Sequence, residues 1–236
     1  MKKSLLFVAA LLMSAMSFAQ VIEILPDTKE DGSKAAFTSS YVNEAREFTA
    51  GGIGFAQVGC QYNSAGSPKI KVGENDIEPA KQQFFQLRKH VEEGNPAGAI
   101  WNIEELDLKM IGIMQIKDKQ KTFKLSVGAK ADELAEVSLP APVESEETIN
   151  LKDDAGTANI EVLVFTVNIA AGMKFFKIEN VDNNPVNLLY IGIEAGTTSL
   201  LDNSVMAPKA VKMIENGQIV IVRDGIRYNM MGQVIE

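Results

Sequence analysis

Short apolar segments, rich in β-branched residues and separated by turn-forming residues, recur along most of this 236-residue chain and constrain its fold more than any other feature. A succession of such segments without intervening helices is typical of an antiparallel β-sandwich, in which each strand buries one face. The clearest predicted strands are residues 70–72, 99–103, 106–116, 122–127, 148–151, 159–169, 174–181 and 186–194. The sequence therefore predicts an all-β fold, an antiparallel β-sandwich.

Four segments between these strands carry their own signals. Residues 48–59 combine apolar side chains with four glycines, which favours a strand with bends or bulges. Residues 117–120 predict a hairpin turn, and the prolines and glutamates of residues 140–147 predict a loop. For residues 78–93 a short helix and a strand both stay open, because the apolar side chains separate cleanly on neither periodicity.

The first 19 residues have the three parts of a cleavable secretory signal peptide. Lys2 and Lys3 supply positive charge, and residues 5–15 form an uncharged apolar run, shorter than the about 20 residues of a membrane span. Ser17-Phe18-Ala19 then gives a small-x-small cleavage pattern. We expect cleavage before Gln20 and a secreted mature protein without an integral membrane span, located in the periplasm, on the cell surface or outside the cell.

Changes of composition divide the remaining chain into four segments. Residues 20–40 predict a short strand and a lead-in, and residues 41–196 form the predicted β-sandwich domain. Small and polar residues predict a linker at 197–209. Residues 210–236 predict a small C-terminal β-hairpin unit, in which a β-branched strand at 218–223 precedes the turn signal Asp224-Gly225.

Charge and cysteine content exclude several functions. The formal net charge is −8, and it becomes more negative when Lys2 and Lys3 are removed. Without a run of basic residues, such a chain repels phosphate backbones, so we predict that it binds no nucleic acid. Cys60 is the only cysteine, so neither an intramolecular disulfide nor a cysteine-based metal site can form. Its apolar surroundings predict a buried core residue.

The sequence contains no recognisable catalytic set. His90 is the only histidine and lies in a charged run, which predicts a solvated surface side chain. The carboxylates on predicted strands are explained as outward-facing acids, although two of them facing each other across a cleft would suit a glycosidase. We predict a protein that is not an enzyme and has no catalytic residues, no metal ligands and no cofactor. Oxygen-rich turns at residues 75–76, 153–154 and 182–184 lack EF-hand spacing but leave a structural calcium open.

Aromatic residues in polar surroundings are the candidate binding residues. A sugar ring stacks on an exposed aromatic face while neighbouring polar groups bond its hydroxyls. Tyr62 is the first candidate because Gln61 and Asn63 flank it in a predicted loop. Trp101 and Tyr41 are further platforms.

Two stretches carry resemblances to known families. Residues 210–234, AVKMIENGQIVIVRDGIRYNMMGQV, resemble the opening strands of type IX secretion C-terminal sorting domains, particularly Tyr228-Asn229 followed by Gly232-Gln233. This resemblance implies a secreted Bacteroidetes protein. Residues 167–180 and 186–194 resemble the final strands of jelly-roll carbohydrate-binding modules, which implies a jelly-roll sandwich that binds sugars.

Two functions from different classes follow as hypotheses. The first is a secreted, non-enzymatic binding protein that recognises glycan or another cell-surface ligand, such as a cell-surface protein, through the β-sandwich. The alternative is a structural or adhesin-like surface component that assembles by strand pairing. The sequence indicates neither the ligand nor the oligomeric state.

Overall fold

A computed structural model of the chain describes residues 19–30, 34–62, 69–72, 74–89, 94–117, 122–196, 211–215, 218–223 and 226–228. By their contacts these residues fall into two compact units, Met1–Gly196 and Thr197–Glu236. Several predictions lie outside the described residues: the signal peptide before Ala19, the linker at 197–209, Asn63 and His90.

Almost all regular structure of the first unit is β. Its strands are β1 (Ala19–Ile24), β2 (Lys29–Glu30), β3 (Lys34–Ala35), β4 (Arg46–Ala50), β5 (Ile53–Val58), β6 (Cys60–Tyr62), β7 (Ile70–Val72), β8 (Asn75–Ile77), β9 (Phe85–Leu87), β10 (Ala99–Asn102), β11 (Asp107–Ile116), β12 (Phe123–Gly128), β13 (Ala135–Val137), β14 (Val143–Asn150), β15 (Thr157–Asn168), β16 (Phe175–Asn180) and β17 (Val186–Gly196). A 3₁₀ turn at Lys152–Asp154 is the only helical element among the described residues. The part of segment 78–93 that is described, 78–89, contains β9 and no helix.

Two antiparallel sheets form the body of this unit. The first sheet has the order β14-β15-β11-β17-β9-β6, and β1 also pairs with β17. The second sheet has the order β13-β12-β16-β10-β5-β4. The consecutive strands β15, β16 and β17 alternate between the two sheets. The predicted all-β antiparallel sandwich is confirmed.

The space between the sheets holds the main core, which follows from the alternation of side chains along each strand. In β12 the buried residues are every second one, and Phe123 packs edge-on against Phe165 of the first sheet with ring centroids 5.2 Å apart. Phe37, from the predicted lead-in, stacks on Phe85 at 4.6 Å. Cys60 is fully buried, which confirms the prediction of a core cysteine.

The structure corrects three local predictions. Residues 48–59 form a hairpin rather than one bent strand, because Gly51 and Gly52 both have positive φ (57° and 81°), as a two-residue hairpin turn requires. The strands on either side of residues 117–120 lie in different sheets, so this connection is not a hairpin. The predicted loop at 140–147 contains most of β14. As an edge strand β14 has exposed side chains, and it therefore lacks the apolar alternation that marks a strand in sequence.

The second unit contains a three-stranded antiparallel sheet of β18 (Val211–Glu215), β19 (Gln218–Arg223) and β20 (Ile226–Tyr228). The predicted strand at 218–223 is confirmed with the same bounds. Arg223 pairs with Ile226, so β19 and β20 are joined across the predicted turn Asp224-Gly225, which itself lies outside the described residues.

Candidate ligand-binding surfaces

The candidate residues that the structure describes do not converge on one site. Trp101 lies on β10 in the second sheet, whereas Gln61 and Tyr62 lie on β6 at one edge of the first sheet. Tyr41 lies in the segment that precedes β4. These side chains therefore do not form one common site.

Trp101 occupies a central position on the outer face of the second sheet, and we call this region the Trp101 surface. The residue is half-buried and pairs across the sheet with Ala56 of β5 on one side and Lys177 of β16 on the other. The same row continues to Ser126 on β12 and to Glu47 on β4. Ala56, with only a methyl group, is buried, whereas Trp101 keeps part of its surface exposed.

Ion pairs fix the charged groups beside the indole. Glu179 Oε1 accepts a hydrogen bond from Lys177 Nζ at 3.0 Å, and its Oε2 lies 2.9 Å from Lys124 Nζ. Partial burial alone would raise the pKa of Glu179, but the two lysines outweigh it and hold the pKa below its ordinary value. Lys177 is thereby held in place as a donor next to Trp101.

At the edge of the first sheet, an amide ladder crosses three strands. Gln61 Nε2 donates to Gln86 Oε1 at 2.7 Å, and Gln86 Nε2 donates to Asn187 Oδ1 at 3.0 Å. Tyr62 alternates to the opposite face and packs against the main core. The structure therefore gives Tyr62 a packing contact, while Gln61 belongs to a polar network.

Tyr41 makes a cation–π contact with Arg88, whose guanidinium carbon lies 4.7 Å from the centroid of the Tyr41 ring. Arg88 is buried, with 5 % of its surface exposed. One face of Tyr41 is thus taken by this cation, which leaves less of the ring for a sugar than Trp101 offers.

The outer face of the first sheet carries a second apolar cluster that sequence reasoning missed. It joins Ile149 of the edge strand β14 with Phe84 before β9 and Tyr190 of β17. Although β15 and β11 stand between β14 and β17 in the sheet, Ile149 and Tyr190 line one cleft, because the sheet curls. A cleft of about 430 Å³ opens on this concave face, and we call it the β14 cleft.

Side chains from three directions line the β14 cleft. Met114, Leu189 and Tyr190 come from the central strands, and Glu147 and Ile149 come from β14. Residues 25–27 and 82–83 close the opposite side. Gln82 adopts a positive φ of 63°, and the neighbouring Gln83 accepts a hydrogen bond from the backbone N–H of Asn150 at 2.9 Å. This bond ties the loop to the end of β14.

Tyr190 lies flat over the sheet because of Gly192. A Cβ at Gly192 would collide with the tyrosine ring and hydroxyl. The Tyr190 hydroxyl donates to Glu23 Oε1 of β1 at 3.4 Å. Burial, and then the negative charge of Glu23, raise the pKa of Tyr190, which keeps the phenol protonated at any physiological pH.

Glu147 lines the cleft, and its neighbours Ile149 and Ile160 on the same face of the sheet are apolar. It pairs across the sheet with Ile160, and Ile149 follows on the same face of β14. Burial raises the pKa of Glu147. By contrast Glu144, on the other face of the strand, accepts a hydrogen bond from Lys117 at 2.8 Å.

Within the described part of the chain, no three Asp, Glu, His or Cys side chains are grouped so that they could hold a metal ion. In the oxygen-rich turn at 182–184 the carboxylate of Asp182 accepts hydrogen bonds from Thr122 and Asn184. No helix among the described residues is long and apolar enough to cross a membrane.

These features define the class of the protein as an all-β sandwich of two antiparallel sheets, one of which is curled. Comparison of the chain with protein families, with curated proteins and with solved structures finds no match in any of the three. The Trp101 surface and the β14 cleft are therefore the features that bear on function.

Proposed function

We propose that the protein is a secreted, non-enzymatic binding protein that recognises glycan through the Trp101 surface. The observation that carries this proposal is the position of Trp101 at the centre of an outer sheet face, between the small Ala56 and the hydrogen-bonding Lys177. An indole offers the apolar face of a sugar ring a large stacking area, and polar neighbours bond the hydroxyls. The amine of Lys177 and the hydroxyl of Ser126 lie in the same row.

The chain offers a direct assay because Trp101 is its only tryptophan. Every change in tryptophan emission on adding an oligosaccharide therefore reports on this surface. We expect emission to shift on titration with at least one oligosaccharide that a polysaccharide array retains. Trp101→Ala should abolish retention on the array, whereas Trp101→Phe should keep part of it.

Tyr62→Phe serves as the control, because Tyr62 packs against the main core and lies on the other sheet. This variant should bind as the parent protein does. Retention that survives Trp101→Ala, or the absence of binding to every glycan tested, would contradict the proposal. Circular dichroism should first confirm that each variant is folded.

Export by the predicted signal peptide is part of the proposal. Strand β1 begins at Ala19, and its buried residues Ile22 and Ile24 follow the expected cleavage position before Gln20. Cleavage there would keep the paired strand from Gln20 onward. Mass spectrometry of the protein recovered outside the cytoplasm should give a mature chain that begins at Gln20, and an intact N-terminus would contradict export by this route.

Assembly by strand pairing is the second candidate function. The C-terminal unit contains three short strands, and within the described residues β18 and β20 each have one neighbour in the sheet. Sheets this small are marginally stable in water and gain stability from a further partner strand. Size-exclusion chromatography should then show oligomers that disappear when residues 210–236 are removed, whereas a monomer with and without them would refute this candidate.

A further inference from the structure

The β14 cleft has the volume of a small-molecule site and a lining in which apolar and polar side chains are about equally represented, and it is separate from the Trp101 surface. Its volume of about 430 Å³ lies in the range of roughly 300–1,000 Å³ that is usual for such sites. Met114, Leu189 and Ile149 supply apolar surface, and polar groups stand around them. Small-molecule sites commonly combine an apolar lining with few polar groups that orient the ligand.

The charges of the cleft all have one sign. Asp27 and Glu147 are among its lining residues, and Glu23 lies at the hydroxyl of Tyr190. The residues that line the cleft include no lysine, arginine or histidine. An anionic ligand would therefore be repelled, while a cation would be attracted.

Glu147 is a partly buried acid whose charge no neighbouring group compensates among the described residues. Among the described residues its carboxylate makes no hydrogen bond or ion pair, and burial is the sole cause that raises its pKa. Glu78, by contrast, pairs with Lys152 at 2.8 Å and has a lowered pKa. A partly buried carboxylate without a partner is destabilising, and an arriving cation would relieve that cost.

We propose that the β14 cleft binds a small organic cation, an ammonium or guanidinium group carried on an apolar stem. The cationic group pairs with Glu147, and the stem packs against Met114, Leu189 and Tyr190. The apolar lining distinguishes this ligand from an inorganic cation, which would need several oxygen ligands.

The test uses the full mature chain and three six-carbon probes whose head groups are cationic, neutral and anionic. Isothermal titration calorimetry should detect binding of n-hexylammonium, weaker binding of n-hexanol and none of hexanoate. Shortening the alkyl chain of the ammonium should weaken binding by about fourfold for each methylene removed. Equal affinity for all three probes, or no binding of n-hexylammonium at millimolar concentration, would overturn the proposal.

Two isosteric variants distinguish binding to Glu147 from a general attraction of the cation to the acidic protein. Glu147→Gln should weaken n-hexylammonium binding about tenfold and leave n-hexanol unchanged. Glu146→Gln is the matched control, because Glu146 is the neighbouring residue on the opposite face of the same strand, is exposed and pairs with Glu161. An equal loss in both variants would refute the role of Glu147. Binding of calcium alone that depends on Glu147, with no dependence on the alkyl stem, would replace the proposal with an inorganic site.

Discussion

Replacing Asn180 with Asp should destabilise the protein strongly although it changes only one polar group. Asn180 is fully buried on β16, and its Nδ2 donates to the carbonyl oxygens of Leu87 (3.0 Å), Arg88 (2.8 Å) and Asn184 (2.9 Å). The side chain thus connects the second sheet to residues beside β9 in the first. Its Oδ1 also accepts a hydrogen bond from the backbone N–H of Asp182 at 2.7 Å.

The magnitude follows from the groups that lose their partners. Asn180→Asp removes both N–H donors and turns a carboxylate oxygen toward three carbonyl oxygens. The Arg88 carbonyl still accepts the N–H of Gly98 at 3.1 Å, so only the carbonyls of Leu87 and Asn184 lose a donor without that replacement. At about 1–3 kcal/mol for each polar group left unsatisfied, about 2 kcal/mol or more should be lost at pH 7, before the cost of the buried charge. This is a large fraction of the about 5–15 kcal/mol that stabilises a typical domain.

Urea unfolding at pH 7 and at pH 5 measures this effect. Burial keeps the introduced carboxyl protonated to a higher pH in the folded chain than in the unfolded chain, so the loss should be smaller at pH 5 than at pH 7. With a slope of about 1–3 kcal/mol per molar urea, the midpoint at pH 7 should fall by about 1 M or more. Asn183→Asp, in the same turn but exposed, is the control and should have little effect. A loss below about 1 kcal/mol, or an equal loss at both pH values, would refute the reasoning.

Three further predictions concern single side chains. Cys60 is fully buried and burial raises the pKa of its thiol, so a thiol reagent should modify it only in denaturant; rapid labelling of the native protein would contradict this. Gly59→Ala should lower the free energy of unfolding by about 1–3 kcal/mol, because φ is +61° and the new Cβ would lie 2.9 Å from two carbonyl oxygens. Gly94→Ala, at φ +75° with no atom within 4 Å of the Cβ, should lower the free energy of unfolding less in the same assay. An equal loss in both variants would show that the close carbonyl oxygens at Gly59 are not its cause. Burial raises the folded-state pKa of Glu147, so the contribution of Glu147 to stability increases as pH falls through that pKa. Glu147→Gln should therefore raise the free energy of unfolding at pH 7 and remove this pH dependence in urea titrations from pH 4 to 8. A variant that is less stable than the parent at pH 7 would count against this prediction.

Local patterns were sufficient to predict the fold class and several strands. In the run Gln218–Arg223 the four central residues are β-branched, and turn formers bound the run, so its bounds follow from the sequence. Which strands pair was not predicted, since even the consecutive strands β15 and β16 lie in different sheets. Alternation of side chains identifies the faces of a strand but not its neighbours.

For the candidate sites, too, residue type could be read from the sequence, whereas the neighbours across the sheet could not. Trp101 was predicted from residue type alone, and its setting beside Lys177 depends on a register that no local signal encodes. The β14 cleft was missed because it exists only through the curl that brings Ile149 to Tyr190. The one sequence feature that points to the cleft is Glu147, a charged residue two positions before the apolar Ile149. This spacing places both side chains on one face only if β14 is already known to be a strand.

The pairing of Gln20 with Ala195 has a consequence for how the first unit folds. Its first strand completes a sheet against its last strand, so that sheet cannot be finished until the whole segment has been synthesised. Contacts this distant in sequence slow folding. The same pairing places the two ends of the unit side by side. A circular permutant that joins these ends through a short linker, and opens the chain at the exposed residues 129–133, would turn the most distant contact into a local one. It should fold faster at similar stability.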